Sequence, residues 1–282
     1  MVFRYFLGHV IREAAQEKLR EARDDLAAAE AQKIPAHCDV LVATALPVES
    51  GGLVDKLADV VSLTGDGFTE RFGTLGETSI GIVETGTGQK RASAAVSEVI
   101  ATRQPQWVVS TGFAGGLHEE LRRGHFLMAD SIAHEASDQT LSVGLTMDKG
   151  SLAASPGVHA GRLLTVDRLV RSPQEKRTLG EQHGALACDM ESFAIAQACV
   201  DRKVKFLSVR IISDEVDEAL PPELARLLDQ KTTAAQLGAA AAALWNRPSS
   251  AKDMWKLKED ALAAGDRLGR FLVGVVKQLP VE

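Results

Sequence analysis

The spacing of apolar residues divides the chain into a helical start, a long middle of short strand-like runs and a helical end. Phe3, Phe6, Leu7, Val10, Ile11, Ala14, Leu19, Ala22 and Leu26 recur three or four apart with charges between them, which predicts an amphipathic helix over residues 3–32. "KIPAH", 33–37, closes it, because proline disfavours helical geometry at the residue before it. From Cys38 the texture turns β-rich: "DVLVATA", "SIGIVETGTG", "QWVVSTGFAGG", "HFLMADSI" and "VKFLSVRIISD" are apolar on both faces and end at glycine or polar residues. Helical patterns such as 90–103 and 192–202 separate most of them. Such alternation predicts an α/β chain, with a mostly parallel sheet covered on both sides. "NRPSSAK", 246–252, is a break, and after it Trp255, Leu262, Leu268, Phe271, Leu272, Val275 and Val276 predict a second amphipathic helix.

The expected organisation is an N-terminal helical extension at 1–36, one domain at 37–245 and a C-terminal helical extension at 246–282. Two amphipathic helices hide their stripes best against each other or across a dimer, so a homodimer is expected. The less favoured role for "MVFRYFLGHVIR", where aromatics mix with basic residues, is interfacial membrane attachment. Its apolar run is too short for a span and has no small-residue cleavage site, so the segment is expected to be retained.

With 45% apolar residues in 282, the chain can bury a sizeable core. A formal charge of −6, with both signs spread along the sequence, offers no basic face for a phosphate backbone, and no nucleic-acid partner is expected. Cys38, Cys188 and Cys199 form no CxxC and no even set, and the histidines show no HxH or HExxH spacing. Neither a disulfide framework nor a metal or other cofactor is signalled, and the expected location is the cytoplasm.

Ligands of parallel sheets gather at the carboxyl ends of the strands, and several runs here end in residues capable of chemistry. In "TGTGQKRA", 85–92, Arg91 stands where a dinucleotide fingerprint needs its third glycine, and no Gly-Lys-Ser/Thr follows. Gly86 and Gly88 then form a glycine turn that opens a helix, either a plain turn or a ligand loop. "STGFAGGL", 110–117, has the same form around Phe113, with a structural turn the simpler reading. The absence of GxSxG removes support for a serine hydrolase. In "FLSVRIISD", five of the seven residues before Ser213 are apolar, so Asp214 leaves a buried strand where desolvation suits a proton donor; a helix cap is the alternative. "ACDMESFAIA", 187–196, sets Asp189 and Glu191 in a small, apolar stretch, and Glu49 follows the first strand. If these loops share one end of the sheet, Glu49, Glu191 and Asp214 converge on one pocket.

Taken in order, "ALPVE", "ETGTG", "STGFAGGL" with "LRRGHFLMAD", "CDMESFAIA" and "VRIISD" resemble the nucleoside phosphorylase/nucleosidase superfamily, most closely the methylthioadenosine/S-adenosylhomocysteine nucleosidases, over residues 38–240. The resemblance implies a single-domain three-layer sandwich around a mixed, mostly parallel twisted sheet. It implies a purine nucleoside as substrate and hydrolysis of its N-glycosidic bond, with Asp214 giving a proton toward N7 of the base and Glu49 activating the attacking water. Glu191 would accept hydrogen bonds from ribose hydroxyls, Met190 would line the sugar and Phe113 would border the base. Gly86 and Gly88 would approach the sugar or the nucleophile, Ser213 would join the substrate-binding set, and Asp189 would have a structural role. Leu169 stands where the family stacks an aromatic residue on the base, and segment 134–160 departs from the family pattern. The substrates implied range from methylthioadenosine and S-adenosylhomocysteine to 5′-deoxyadenosine, futalosine-like compounds and adenosylated lipids. A phosphate clamp needs arginines, and "STGFAGG" has none, although Lys90 and Arg91 follow the first glycine loop. Hydrolysis is therefore favoured; phosphorolysis, or a nucleoside-binding module without turnover, are the alternatives.

Overall fold

A computed structural model describes residues 35–65, 67–144, 155–221 and 250–281, with the backbone alone at 250–258. The helix expected at 3–32, and part of segment 134–160, lie outside the described residues. β1 (Val40–Thr44) is buried along its whole length, between parallel neighbours β4 (Thr78–Glu84) and β5 (Trp107–Gly116). Because successive side chains of a strand point to opposite faces, β1 feeds two separate cores. Val40 and Val42 pack on one side with Ile80, Ile82, Val109 and Leu53. Leu41 and Ala43 pack on the other with Ala95, Val96 and Val99 of α2 (Gln89–Arg103) and Ile195 and Cys199 of α4 (Ser192–Arg202). These paired layers confirm the expected sandwich.

The antiparallel strands β2 (Ala58–Thr64) and β3 (Thr69–Leu75) extend the sheet beyond β4, while the other side closes on itself. β10 (Lys205–Asp214) runs parallel to β5 and antiparallel to β6 (Phe126–His134), and β6 runs parallel to β8 (Val158–Thr165). β9 (Ala187–Asp189) then joins β8 back to the end of β5. The short β7 (Thr140–Ser142) pairs with β6, and α3 (Pro173–His183) covers the β8–β9 side through Leu179. Closure gathers the carboxyl ends of β1, β5, β8, β9 and β10 around one space.

α1 (Pro47–Val54) leaves β1 directly and is held by α5 (Ser250–Val276). The two helices meet backbone to backbone: a Cβ on Gly52 would collide with Gly265, and one on Gly269 with Gly52. Leu268, Leu272, Val275 and Val276 of α5 join the same core as β1, and Phe271 stacks on Phe126 at 4.0 Å. Of the stripe expected to pair with the N-terminal helix or a second subunit, Leu268, Phe271, Leu272, Val275 and Val276 are thus engaged by the domain itself, while Leu262 stays exposed.

Candidate active site

Glu49 is the third residue of α1, and its carboxylate turns back under the helix. Oε2 accepts from the backbone N–H groups of Ala45 and Leu46 at 2.9 and 2.8 Å, and Oε1 from that of Phe113 at 2.9 Å. These donors come from the exit of β1 and from β5, so the acid spans two strand ends at 5% exposure. Burial raises its carboxyl above the usual range against the pull of those N–H groups and of Arg210.

Asp189 and Glu191 share a junction but differ in surroundings. Asp189 Oδ2 receives Nε and Nη2 of Arg210 at 3.0 and 2.8 Å and the Ser192 N–H at 3.0 Å, and Oδ1 receives the Thr165 hydroxyl at 2.8 Å. It therefore ties β9, β8, β10 and the start of α4 together from within the core. Among the described residues the Glu191 side chain accepts one hydrogen bond, from the Gly88 N–H to Oε1 at 2.7 Å. Desolvation, then repulsion from Asp189, pushes the Glu191 carboxyl up to about 8.

Asp214 ends β10 after a register shift that leaves Ser213 as the extra residue opposite β5. Such a bulge re-aims the side chains around it. The Ser213 hydroxyl lies 2.6 Å from Asp214 Oδ1, and the ammonium of the wholly buried Lys176 donates to Oδ2 at 2.5 Å. Asp214 is buried at the exit of a buried strand, as expected, but α3 brings it a cation that the sequence did not reveal.

Glu49, Phe113, Met190, Glu191, Ser213 and Asp214 line one cavity of about 440 Å³, a size suited to a small organic ligand. Gly86 and Gly88 do not line it; Thr87 between them does. Gly88 serves the wall from behind, through Glu191, while Gly86 at φ +73 gives room to the Arg91 guanidinium. Gln89 fixes the same loop by donating to Asp167 at 2.6 Å. Leu169 and Val170 form an aliphatic wall, and α5 adds Ala261, Ala264 and Arg267.

The sequence reading missed Lys176 and Arg210. Arg210 interrupts an apolar run as Asp189 interrupts another, and two opposite charges in buried strands point to a pair. Lys176 lies three residues before Leu179, on the same face of α3, and both are buried. Among the described residues no three His, Cys, Asp or Glu side chains group as a metal site, and no helix is long and apolar enough to cross a membrane.

The arrangement provides an enclosed carboxylate near backbone donors, a second acid whose carboxyl burial pushes up, and a third beside an ammonium. Comparison with known proteins points the same way. The model of the phosphorylase superfamily matches residues 39–246. A 5′-methylthioadenosine/S-adenosylhomocysteine nucleosidase of Haemophilus ducreyi is 28% identical over 169 residues, 52% of this chain and 72% of that protein. One of Shewanella sediminis is 27% identical over 198 residues, 63% of this chain and 86% of its own length. Among solved structures, the S. pneumoniae nucleosidase of the same name, bound to a transition-state inhibitor, superposes with a TM-score of 0.63 at 21% identity, covering 86% of this chain and 99% of that one. The likeness to that structure is one of fold.

Proposed function

The chain belongs to the phosphorylase superfamily, and on that premise we propose that it is an N-glycosidase that hydrolyses a purine nucleoside modified at the 5′ position and releases the free base. The two nucleosidase relatives, named for 5′-methylthioadenosine and S-adenosylhomocysteine, support nucleosides of that kind as substrates. The observation that carries the choice of water over phosphate is the seat of Glu49. Its carboxylate already occupies the backbone N–H groups of Ala45, Leu46 and Phe113, the donors an incoming anion would use. A phosphate dianion would also meet the charge of Glu49, whereas a water molecule can give that carboxylate its proton.

Breaking an N-glycosidic bond develops positive charge on the sugar and negative charge on the base. In the proposed mechanism Glu49 orients water through Oε1 and takes its proton as the sugar becomes electron-poor. Glu191, fixed by the Gly88 N–H, leaves Oε2 for ribose hydroxyls, and Met190 packs against the sugar. Asp214 faces the base and passes a proton toward N7, with Ser213 holding its Oδ1 side. Phe113 and the Leu169–Val170 wall border the purine by apolar contact.

The three cysteines are free and buried, which suits a reducing compartment; the cytoplasm is the proposed location and a homodimer the proposed assembly. The proposed catalytic unit spans 37–245, with α5 packed on it. Chromatography of free base released from a purine nucleoside panel, with and without phosphate, tests the reading. Release that requires phosphate would assign phosphorolysis instead.

A further inference from the structure

Lys176 is 0% exposed, although lysine is among the side chains least often enclosed. All three donors of its ammonium are used: Asp214 Oδ2 at 2.5 Å, the Glu215 carbonyl at 2.7 Å and the Glu218 carbonyl at 2.8 Å. Its position in α3 makes the burial more costly. Ser172 caps this helix by accepting the Glu175 N–H, and Lys176 stands next, where the positive end of the helix dipole opposes a cation. A buried ion pair is weak evidence for stability, since apolar residues of similar volume often serve as well or better. The location of this pair at the cavity wall calls for another account.

The loop it grips is the one that follows the proposed proton donor. Outside the wall the same loop is held by Arg122 to Glu215 at 2.9 Å, Arg123 to Glu218 at 2.7 Å and Arg177 to Asp217. Those ion pairs are surface contacts of small individual weight. Among the described cations, Lys176 is the one that reaches through to Asp214.

We propose that Lys176 is the positioning residue for leaving-group chemistry: it locks one oxygen of Asp214, together with the 215–218 turn, so that the carboxyl presents its other oxygen to the departing purine. The inference rests on the reading of the site given above. A positioned acid matters only when the leaving base needs a proton, and this requirement separates the proposal from a structural role.

The test compares the wild-type chain, Lys176→Met, Asp214→Asn and the double variant on two substrates. One is methylthioadenosine, whose base must be protonated; the other is a 4-nitrophenyl riboside, whose leaving group is a stable anion. Lys176→Met is expected to lose about 10²-fold or more in kcat on methylthioadenosine, with KM changed far less, and to lose little on the nitrophenyl substrate. The double variant is expected to be no slower than Asp214→Asn alone and to melt higher than Lys176→Met, since it leaves no unpaired buried charge. If Lys176→Met does not fold, the double variant carries the comparison with Asp214→Asn. Equal losses on both leaving groups, near-normal turnover of methylthioadenosine, or a double variant well below Asp214→Asn would overturn the proposal. A wild-type chain that cleaves neither substrate would instead contradict the reading of the site itself.

Discussion

Gly112 lies so close to Glu49 that a Cβ added to it would stand 2.5 Å from Glu49 Oε1. The glycine also has φ +149, a conformation side chains rarely adopt. The buried acid therefore depends on a bare backbone in the neighbouring strand. Gly112→Ala is expected to displace the carboxylate and lower kcat by about 10²-fold or more, the scale of one lost acid–base group. Steady-state kinetics alongside circular dichroism checks this, and near-normal kcat would show that Glu49 need not sit there.

Arg210 and Asp189 form the enclosed pair that knits β10 to β9, and Arg210 also reaches the hydroxyls of Ser110 and Ser192 at 2.8 and 2.7 Å. Removing one partner strands the other charge in the core. Arg210→Met is expected to cost about 3–5 kcal/mol of stability, and Arg210→Met with Asp189→Leu to cost less than the single change. Urea unfolding of the three proteins measures both, and a double variant weaker than the single would contradict the account.

Glu191 links stability to pH. The folded protein keeps its proton up to about 8, whereas the unfolded chain releases it near the ordinary carboxyl value of 4.5. Above the lower value the unfolded state gains by ionising first, so stability falls as pH rises through this window and the loss levels off beyond it. Glu191→Gln has no proton to release and keeps an acceptor for Gly88. Its melting temperature is expected to gain on that of the wild type between pH 5 and pH 8.5, and a constant difference would refute the raised carboxyl.

The contact between α1 and α5 has no room for a methyl group at Gly269. Gly269→Ala is expected to push the helices apart, lowering stability by about 1–3 kcal/mol and, because α1 carries Glu49, lowering kcat as well. Calorimetry and kinetics on one preparation test whether the two losses occur together.

Much of this fold was legible in the sequence because its central strands are apolar on both faces. β1, β4, β5, β6 and β10 stand where the runs predicted them, and α2, α4 and α5 follow the helical patterns. The elements that went unread lack such a signal. β2 is mostly exposed at a sheet edge, β9 has only three residues, and α1 contains two glycines and persists through its packing on α5. In the site, Glu49 and Glu191 were legible through their motifs, but their burial depends on where β5 and the Gly88 loop pass. Lys176 was hidden because nothing local distinguishes an enclosed lysine from a solvated one; only closure of the sheet through β9 puts α3 beside Asp214.

The most direct measurement of the central claim is base release from methylthioadenosine in phosphate-free buffer by the wild-type chain and by Asp214→Asn. The wild type is expected to release adenine without phosphate, and the variant, folded but lower-melting because Lys176 loses its charged partner, to be slower by about 10²-fold or more. No release by the wild type without phosphate, or release at the wild-type rate by Asp214→Asn, would contradict hydrolysis with Asp214 as the proton donor.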